Sequence, residues 1–501
     1  MKTYLTFVAS DEMEGRDTPS RGLDITAMYI ASHLERWGLK PGGDNGGWFQ
    51  KIPLIKPRID TSQCAFNLSG KDLVYGEDFI CEQASGDVSG KLVYGGSGWY
   101  AKSNKLDAYA GLNVKGKIVV LNQGYRFAPP GLLRSELKGT PGVDFMDPVA
   151  YAKNKGALGI IYIFSKSGLS NWAQSKNRFE GGSAGYRMEG KPVAATATNF
   201  PIIYASENTA KALFDSEKLK LENIYSKSTD EESLASFAFT DVKTATIRVK
   251  ADMDRRYTQN VIGIVEGSDP VLKNEFVAVS AHYDHIGMNN RPGAVDKVYN
   301  GADDDGSGTV SILSMAEALA TSAKKPKRSV VFIWHCGEEK GLWGSEYYTS
   351  NPTIPLAQII TDLNIDMIGR SKLPGDTKAS NRVLTGPNEI YVIGSKMQST
   401  QLGEVSERVN YDYLKLGFNY KYDDPADMER IFYRSDHYNY ARKGIPIIFY
   451  FDGVHEDYHG LGDEVSKIDF VKMEKVVRTV YMTMWELTGL PKRPIVDKKI
   501  P

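Results

Sequence analysis

The sequence predicts an α/β fold, a mostly parallel sheet flanked by helices, with a β-rich insert ahead of it. Two observations predict this. From about Val249 onward, short near-continuous apolar runs alternate with helical stretches, the pattern of strands covered on both faces. Between about Val88 and Thr240, strand-like runs dominate and no cluster of His, Asp and Glu appears. The chain therefore reads as residues 1–87, an insert at 88–240 and a chemistry-bearing part at 241–501.

The elements follow in order. Residues 19–37, "PSRGLDITAMYIASHLERW", place Leu23, Ala27, Ile30, Leu34 and Trp37 at helical spacing. In the insert, "KGKIVVL", "GIIYIF" and "FPIIYAS" read as buried strands, and "DPVAYAKNKGA" as a helix between the first two. The last part has strands "FVAVSA" (276–281), "SVVFIW" (329–334), "IITDLNID" (359–366) and "IPIIFY" (445–450). A final helix carries Phe470, Met473, Val477, Val480, Met484 and Leu487 on one face.

Composition excludes several classes. Net charge is −1 with acids and bases interspersed, which is no nucleic-acid footprint. No apolar run approaches the roughly 20 residues of a membrane span. The N-terminal apolar stretch is about six residues, shorter than a signal-peptide core of roughly 7–15; either the protein is cytoplasmic or, as the secreted or periplasmic location expected here requires, a signal has been removed. Cys64, Cys81 and Cys336 form no disulfide framework, and pairing of Cys64 with Cys81 stays open.

Six of the seven histidines lie between His282 and His459. Each strand of that region runs into metal-capable residues at its C-terminal end. "FVAVSA" leads to His282-Tyr283-Asp284-His285, and "SVVFIW" to His335-Cys336-Gly337-Glu338-Glu339. "IITDLNI" ends at Asp366, and "IPIIFYF" leads to His455 and His459. "NGADDDGSG" (300–308) precedes a helix between the first two. Any one of these is commonly structural. Together, at the carboxyl ends of one parallel sheet, they point to paired zinc-like ions.

The segment His455-Glu456-Asp457-Tyr458-His459 also spells His-Glu-x-x-His, a zinc motif that works on a helix. Gly453, Gly460 and Gly462 surround it and no helical stripe runs through it, so a loop is expected.

The pieces "HYD", "GADDDGSG", "GEEKGLWGS", "NIDMIG", "SDHYNYARKGIPIIF" and "YHGLGDEVSKID" arrive in an order that resembles the di-zinc aminopeptidase and glutamate carboxypeptidase family, a zinc-exopeptidase fold. Residues 88–240 resemble the protease-associated domain often inserted there, read here as a module that restricts access and holds no catalytic metal. The resemblance implies two Zn²⁺ per chain: His282 and Asp366 on one, Glu339 and His459 on the other, Asp304 bridging. It implies Glu338 as general base, drawing a proton from the attacking water and returning it to the leaving amine. Asp284 would hydrogen-bond the His282 ring, and Asp303 and Asp305 would be turn and cap residues. His285, His335, His437 and His455 would bind no metal, with His455 and Glu456 lining the approach. Tyr433 and Tyr458 remain alternatives as oxyanion donor.

The activity expected is that of an aminopeptidase acting on peptides, with no nucleic-acid partner and no membrane span; oligomeric state is open. Alternatives are a carboxypeptidase for acidic C-termini, for which Arg370, Arg430 and Arg434 lie near the motifs, a glutaminyl cyclase, and a non-catalytic receptor-type ectodomain.

Overall fold

The computed structural model describes residues 1–82, 84–182, 185–190, 199–225 and 235–498. The chain divides into two compact units, one of Met1–Pro53 with Tyr257–Pro501 and one of Leu54–Arg256.

Seven strands of a ten-stranded sheet position the site: β1 (Ala251–Val265), β2 (Phe276–His282), β3 (Ser329–His335), β4 (Ile359–Ile365), β5 (Glu389–Ile393), β6 (Gly417–Asn419) and β7 (Ile447–Phe451). Their order across the sheet is β1-β3-β2-β4-β7-β5-β6. The four central strands β3, β2, β4 and β7 run parallel. β1 joins β3, and β5 joins β7, antiparallel. Every residue of β3, β4 and β7 is buried; β3 and β7 accordingly read as near-continuous apolar runs, whereas β4 also buries Thr361, Asp362 and Asn364.

Helices α1 (Arg21–Arg36), α2 (Gly308–Thr321), α3 (Trp343–Ser350), α4 (Thr400–Asp412) and α5 (Phe470–Gly489) belong to the first unit. Side-chain caps start α1 and α5: Ser20 Oγ accepts the Leu23 N–H, and the Asp469 carboxylate accepts those of Val471 and Lys472. From β2 the chain reaches β3 through α2, then crosses to β4 on the other side of β2 through α3. The order reverses at β2, and such a reversal opens a crevice at the carboxyl ends of the strands.

The N-terminal segment braces that crevice through one buried side chain. The Arg16 guanidinium donates to four carbonyls, those of Val8 (2.7 Å), Asn300 (2.7 Å), Gly301 (2.9 Å) and Tyr283 (3.0 Å). Two of these acceptors lie in the loop that leads to Asp304. Replacing Arg16 by Leu strands all four carbonyls, so a loss of at least ~3 kcal/mol is expected in denaturant unfolding; a loss below about 1 kcal/mol would contradict this account.

The second unit carries a nine-stranded sheet. Its centre, Gly86–Tyr94, Ile118–Asn122, Gly159–Ile163 and Ile202–Ala205, is parallel. Strands Ala65–Leu68 and Thr244–Val249 flank it antiparallel, so chain on both sides of 88–240 packs into this unit. Cys64 and Cys81 are free thiols with sulfurs 3.7 Å apart. Among the described residues, no helix is long and apolar enough to cross a membrane.

Candidate metal centre

Two groups of potential ligands lie at the carboxyl ends of β2, β3, β4 and β7. They are His282 with Asp304 and Asp366, and His285 with Asp304 and Glu339. Asp304 is shared, and its two oxygens divide between them. Oδ1 lies 3.3 Å from His282 Nε2, whereas Oδ2 lies 3.2 Å from His459 Nε2 and 3.8 Å from His285 Nδ1. Asp366 Oδ1 is 3.5 Å from His282 Nε2, and Glu339 Oε2 is 3.0 Å from His459 Nε2.

Neighbours orient each side chain. His282 Nδ1 lies 3.1 Å from the Asp284 carbonyl. A carbonyl accepts only, so Nδ1 carries a proton and Nε2 is the nitrogen turned towards the carboxylates. Asp284 meets the ring through its backbone carbonyl, while its carboxylate stands 3.6 Å from the ring and accepts the Glu338 N–H at 3.1 Å. Ser435 Oγ donates to Asp366 Oδ2 at 2.6 Å, leaving Oδ1 free for the centre. Asp305 caps α2 through the Gly308 N–H and also takes the Met367 N–H. A Cβ at position 308 would collide with that carboxylate and with the Ile365 carbonyl, so only glycine fits.

The donor set fits divalent cations. His282 Nε2, Asp304 Oδ2 and His285 Nε2 are buried and make no well-aligned hydrogen bond. Unsatisfied buried polar atoms are costly, and a bound cation is the partner that satisfies lone pairs from several sides. The electrostatics agree. Burial disfavours a charged His459, yet Asp304 and Glu339 outweigh it and raise its pKa to about 10. Burial likewise works against a charged His282, but Asp366, Asp284 and Asp304 hold its pKa well above the usual value. The carboxylates thus draw positive charge into the site.

Glu338 follows Gly337 in a tight turn after β3, where φ of +68° at Gly337 ends the strand and lets Glu338 and Glu339 serve different sides. Burial pushes the Glu338 carboxyl well above the ordinary range. With Asp304 and Asp366 it lines a cavity of about 40 Å³ whose apolar walls include Met367, Ile431, Phe449 and Phe451. Tyr458 and Arg434 also line it, whereas Tyr433 packs its ring against Tyr438. Of the other two arginines, Arg370 pairs with Asp457 at 2.9 Å and Arg430 lies over the Tyr433 ring.

The 455–459 segment is a run of turns, not a helix. Tyr458 N–H bonds to the His455 carbonyl and His459 takes φ of +54°. The two imidazoles diverge. His459 faces Asp304 and Glu339, while His455 is buried with Nε2 3.2 Å from Asp303. His455 Nδ1 accepts from the Asp457 N–H and lies 3.3 Å from Arg370 Nη1, so its proton sits on Nε2 and no lone pair is left for a metal. His455 therefore does not line the approach as the sequence suggested. Glu456 pairs with Lys378 at the surface.

Residues 260–484 match the model of peptidase family M28. This part of the chain is similar to family M28 peptidases. The chain is 23% identical over 485 residues to leucine aminopeptidase 2 of Trichophyton equinum, covering 89% of this chain and 90% of the relative. It is 26% identical over 332 residues to aminopeptidase YwaD of Bacillus subtilis strain 168, covering 64% and 63%. A solved zinc aminopeptidase from Bacillus subtilis aligns with 97% of this chain and 93% of its own, at 18% identity and a TM-score of 0.45. The matched M28 segment contains His282, Asp284, Asp304, Glu338, Glu339, Asp366 and His459. His285 stands beside this centre although the sequence reading set it aside. Its neighbour Asp284 drew attention to the histidine before it, and nothing in the pattern shows that its Nδ1 reaches to 2.8 Å from Glu339.

Proposed function

We propose that the protein is a di-zinc aminopeptidase that removes N-terminal residues from peptides. The observation that supports this best is the division of the Asp304 oxygens between two clusters of nitrogen and carboxylate donors. Mixed imidazole and carboxylate donors suit zinc. His282 and Asp366 would hold one ion, Glu339 and His459 the other, and Asp304 both. When bound, such ions polarise the scissile carbonyl and lower the pKa of water towards neutrality.

The chain's own residues supply the rest. Glu338, at the cavity wall between the two groups, accepts a proton from the attacking water and returns it to the leaving amine. Tyr458 donates towards the carbonyl oxygen as charge develops there. The apolar walls take the first side chain of the substrate. Peptides as partners, and secretion or the periplasm as the compartment, are carried over from the family resemblance, as is the protease-associated character of residues 88–240. Both metal-capable groups among the described residues fall outside that insert.

Arg434 at the cavity favours a second reading, a carboxypeptidase that grips an acidic C-terminus. One experiment tests both. Protein prepared with zinc should contain two ions per chain, cleave uncharged aminoacyl reporters, and fail on the N-acylated forms. Chelation should abolish turnover, and zinc should restore it. Zero or one ion, or cleavage of N-acylated peptides at their C-termini, would overturn the aminopeptidase reading.

A further inference from the structure

The loop that presents Asp304 is also held at its backbone by a residue from another part of the chain. Three successive amides end on Asp463. Its carbonyl accepts the Ala302 N–H at 3.1 Å, and its carboxylate accepts those of Asp303 and Asp304 at 3.0 Å. Asp463 is fully buried and lies four residues after His459. The same acid thus ties the bridging ligand to the loop that carries the second pocket's imidazole.

The tie is reinforced from the first pocket's side. Arg370, four residues after Asp366, lies 3.9 Å from Asp463 and 2.9 Å from Asp457. Its own N–H is held by Asp452 at 2.6 Å. Asp303, next to the bridging residue, takes the Gly369 N–H at 2.6 Å and faces His455 at 3.2 Å. Asp303 is therefore a cross-link rather than the turn residue expected. The loops bearing Asp304, Asp366 and His459 are joined behind the metal centre by residues outside the ligand set.

We propose that Asp463 is a positioning residue: it fixes the backbone of Asp304 so that the carboxylate spans both pockets before any ion arrives. This rests on the di-metal reading above. Charge-assisted bonds to buried amides are strong and directional. An asparagine of the same shape would keep one acceptor and turn an N–H₂ donor towards amides that are themselves donors. Residues of this kind, one layer behind the ligands, typically change metal affinity by about 10–100-fold.

The test is zinc titration of the metal-free wild-type protein and Asp463→Asn, followed by calorimetry or chelator competition. Hydrogen exchange of the 300–305 segment is measured alongside. Wild type should take two ions. Asp463→Asn should bind both about 10–100-fold more weakly, because the two pockets share Asp304. In wild type, the amides of Asp303 and Asp304 should stay protected after zinc is stripped. Unchanged affinity for both ions in a folded Asp463→Asn protein would overturn the proposal, even if its thermal stability drops. So would loss of amide protection on stripping wild type, since the metal would then be ordering the loop; this arm holds whether or not the variant folds. Wild type that takes fewer than two ions overturns the di-metal reading and this inference with it.

Discussion

Replacing Glu338 by Gln should leave the fold and both ions in place and lower kcat by about 10²–10⁴-fold, the usual contribution of a general base. The substitution preserves size and shape, and the tie from the Glu338 amide to Asp284 is made by backbone, so the turn after β3 survives. What disappears is the proton acceptor that lines the cavity with Asp304 and Asp366. Glu339 cannot replace it, because its oxygens face His459 and His285 on the other side of the turn. KM should change far less than kcat, since the cavity walls are untouched. Metal analysis of the variant must accompany the kinetics. A two-ion Glu338→Gln protein with near-normal turnover would remove Glu338 from the mechanism.

The central sheet was legible because β2, β3, β4 and β7 are buried on both faces, and such strands are rich in apolar residues even where, as in β4, they also bury Thr361, Asp362 and Asn364. Where they end, metal-capable residues begin, so the segments holding His282, Glu338, Glu339 and Asp366 stood out by position, and the family resemblance chose among their residues. The short outer strands β5 and β6 were not anticipated. β6 has three residues, none of them buried, and leaves no apolar signal. The extent of the second unit was also hidden, because Ala65–Leu68 and Thr244–Val249 pair across about 180 residues of chain. The layer behind the metal centre escaped for the same reason. Asp463 holds amides some 160 positions earlier, and Arg16 holds carbonyls more than 280 positions later. A loop's pattern shows which residue types it carries, not which distant amides or carbonyls it meets.

The His-Glu-x-x-His segment provides the second large effect. His459→Ala should cost one ion and nearly all activity, since it removes the nitrogen that faces both Asp304 and Glu339. His455→Ala should behave differently. It empties a buried ring position against Asp303 and Arg370, so stability should fall by about 1–3 kcal/mol, while both ions remain and activity stays within about tenfold of wild type. Glu456→Gln breaks only a solvent-screened surface pair with Lys378 and should change neither metal content nor rate. Metal content, unfolding and kcat/KM on the three variants separate these outcomes. A helical zinc motif would instead make His455 and Glu456 indispensable. The sharper rival is His285, whose ring already stands beside Glu339. If it supplies the nitrogen, His459→Ala keeps two ions and His285→Ala loses one, and the second pocket must be redrawn around the residue that follows Asp284.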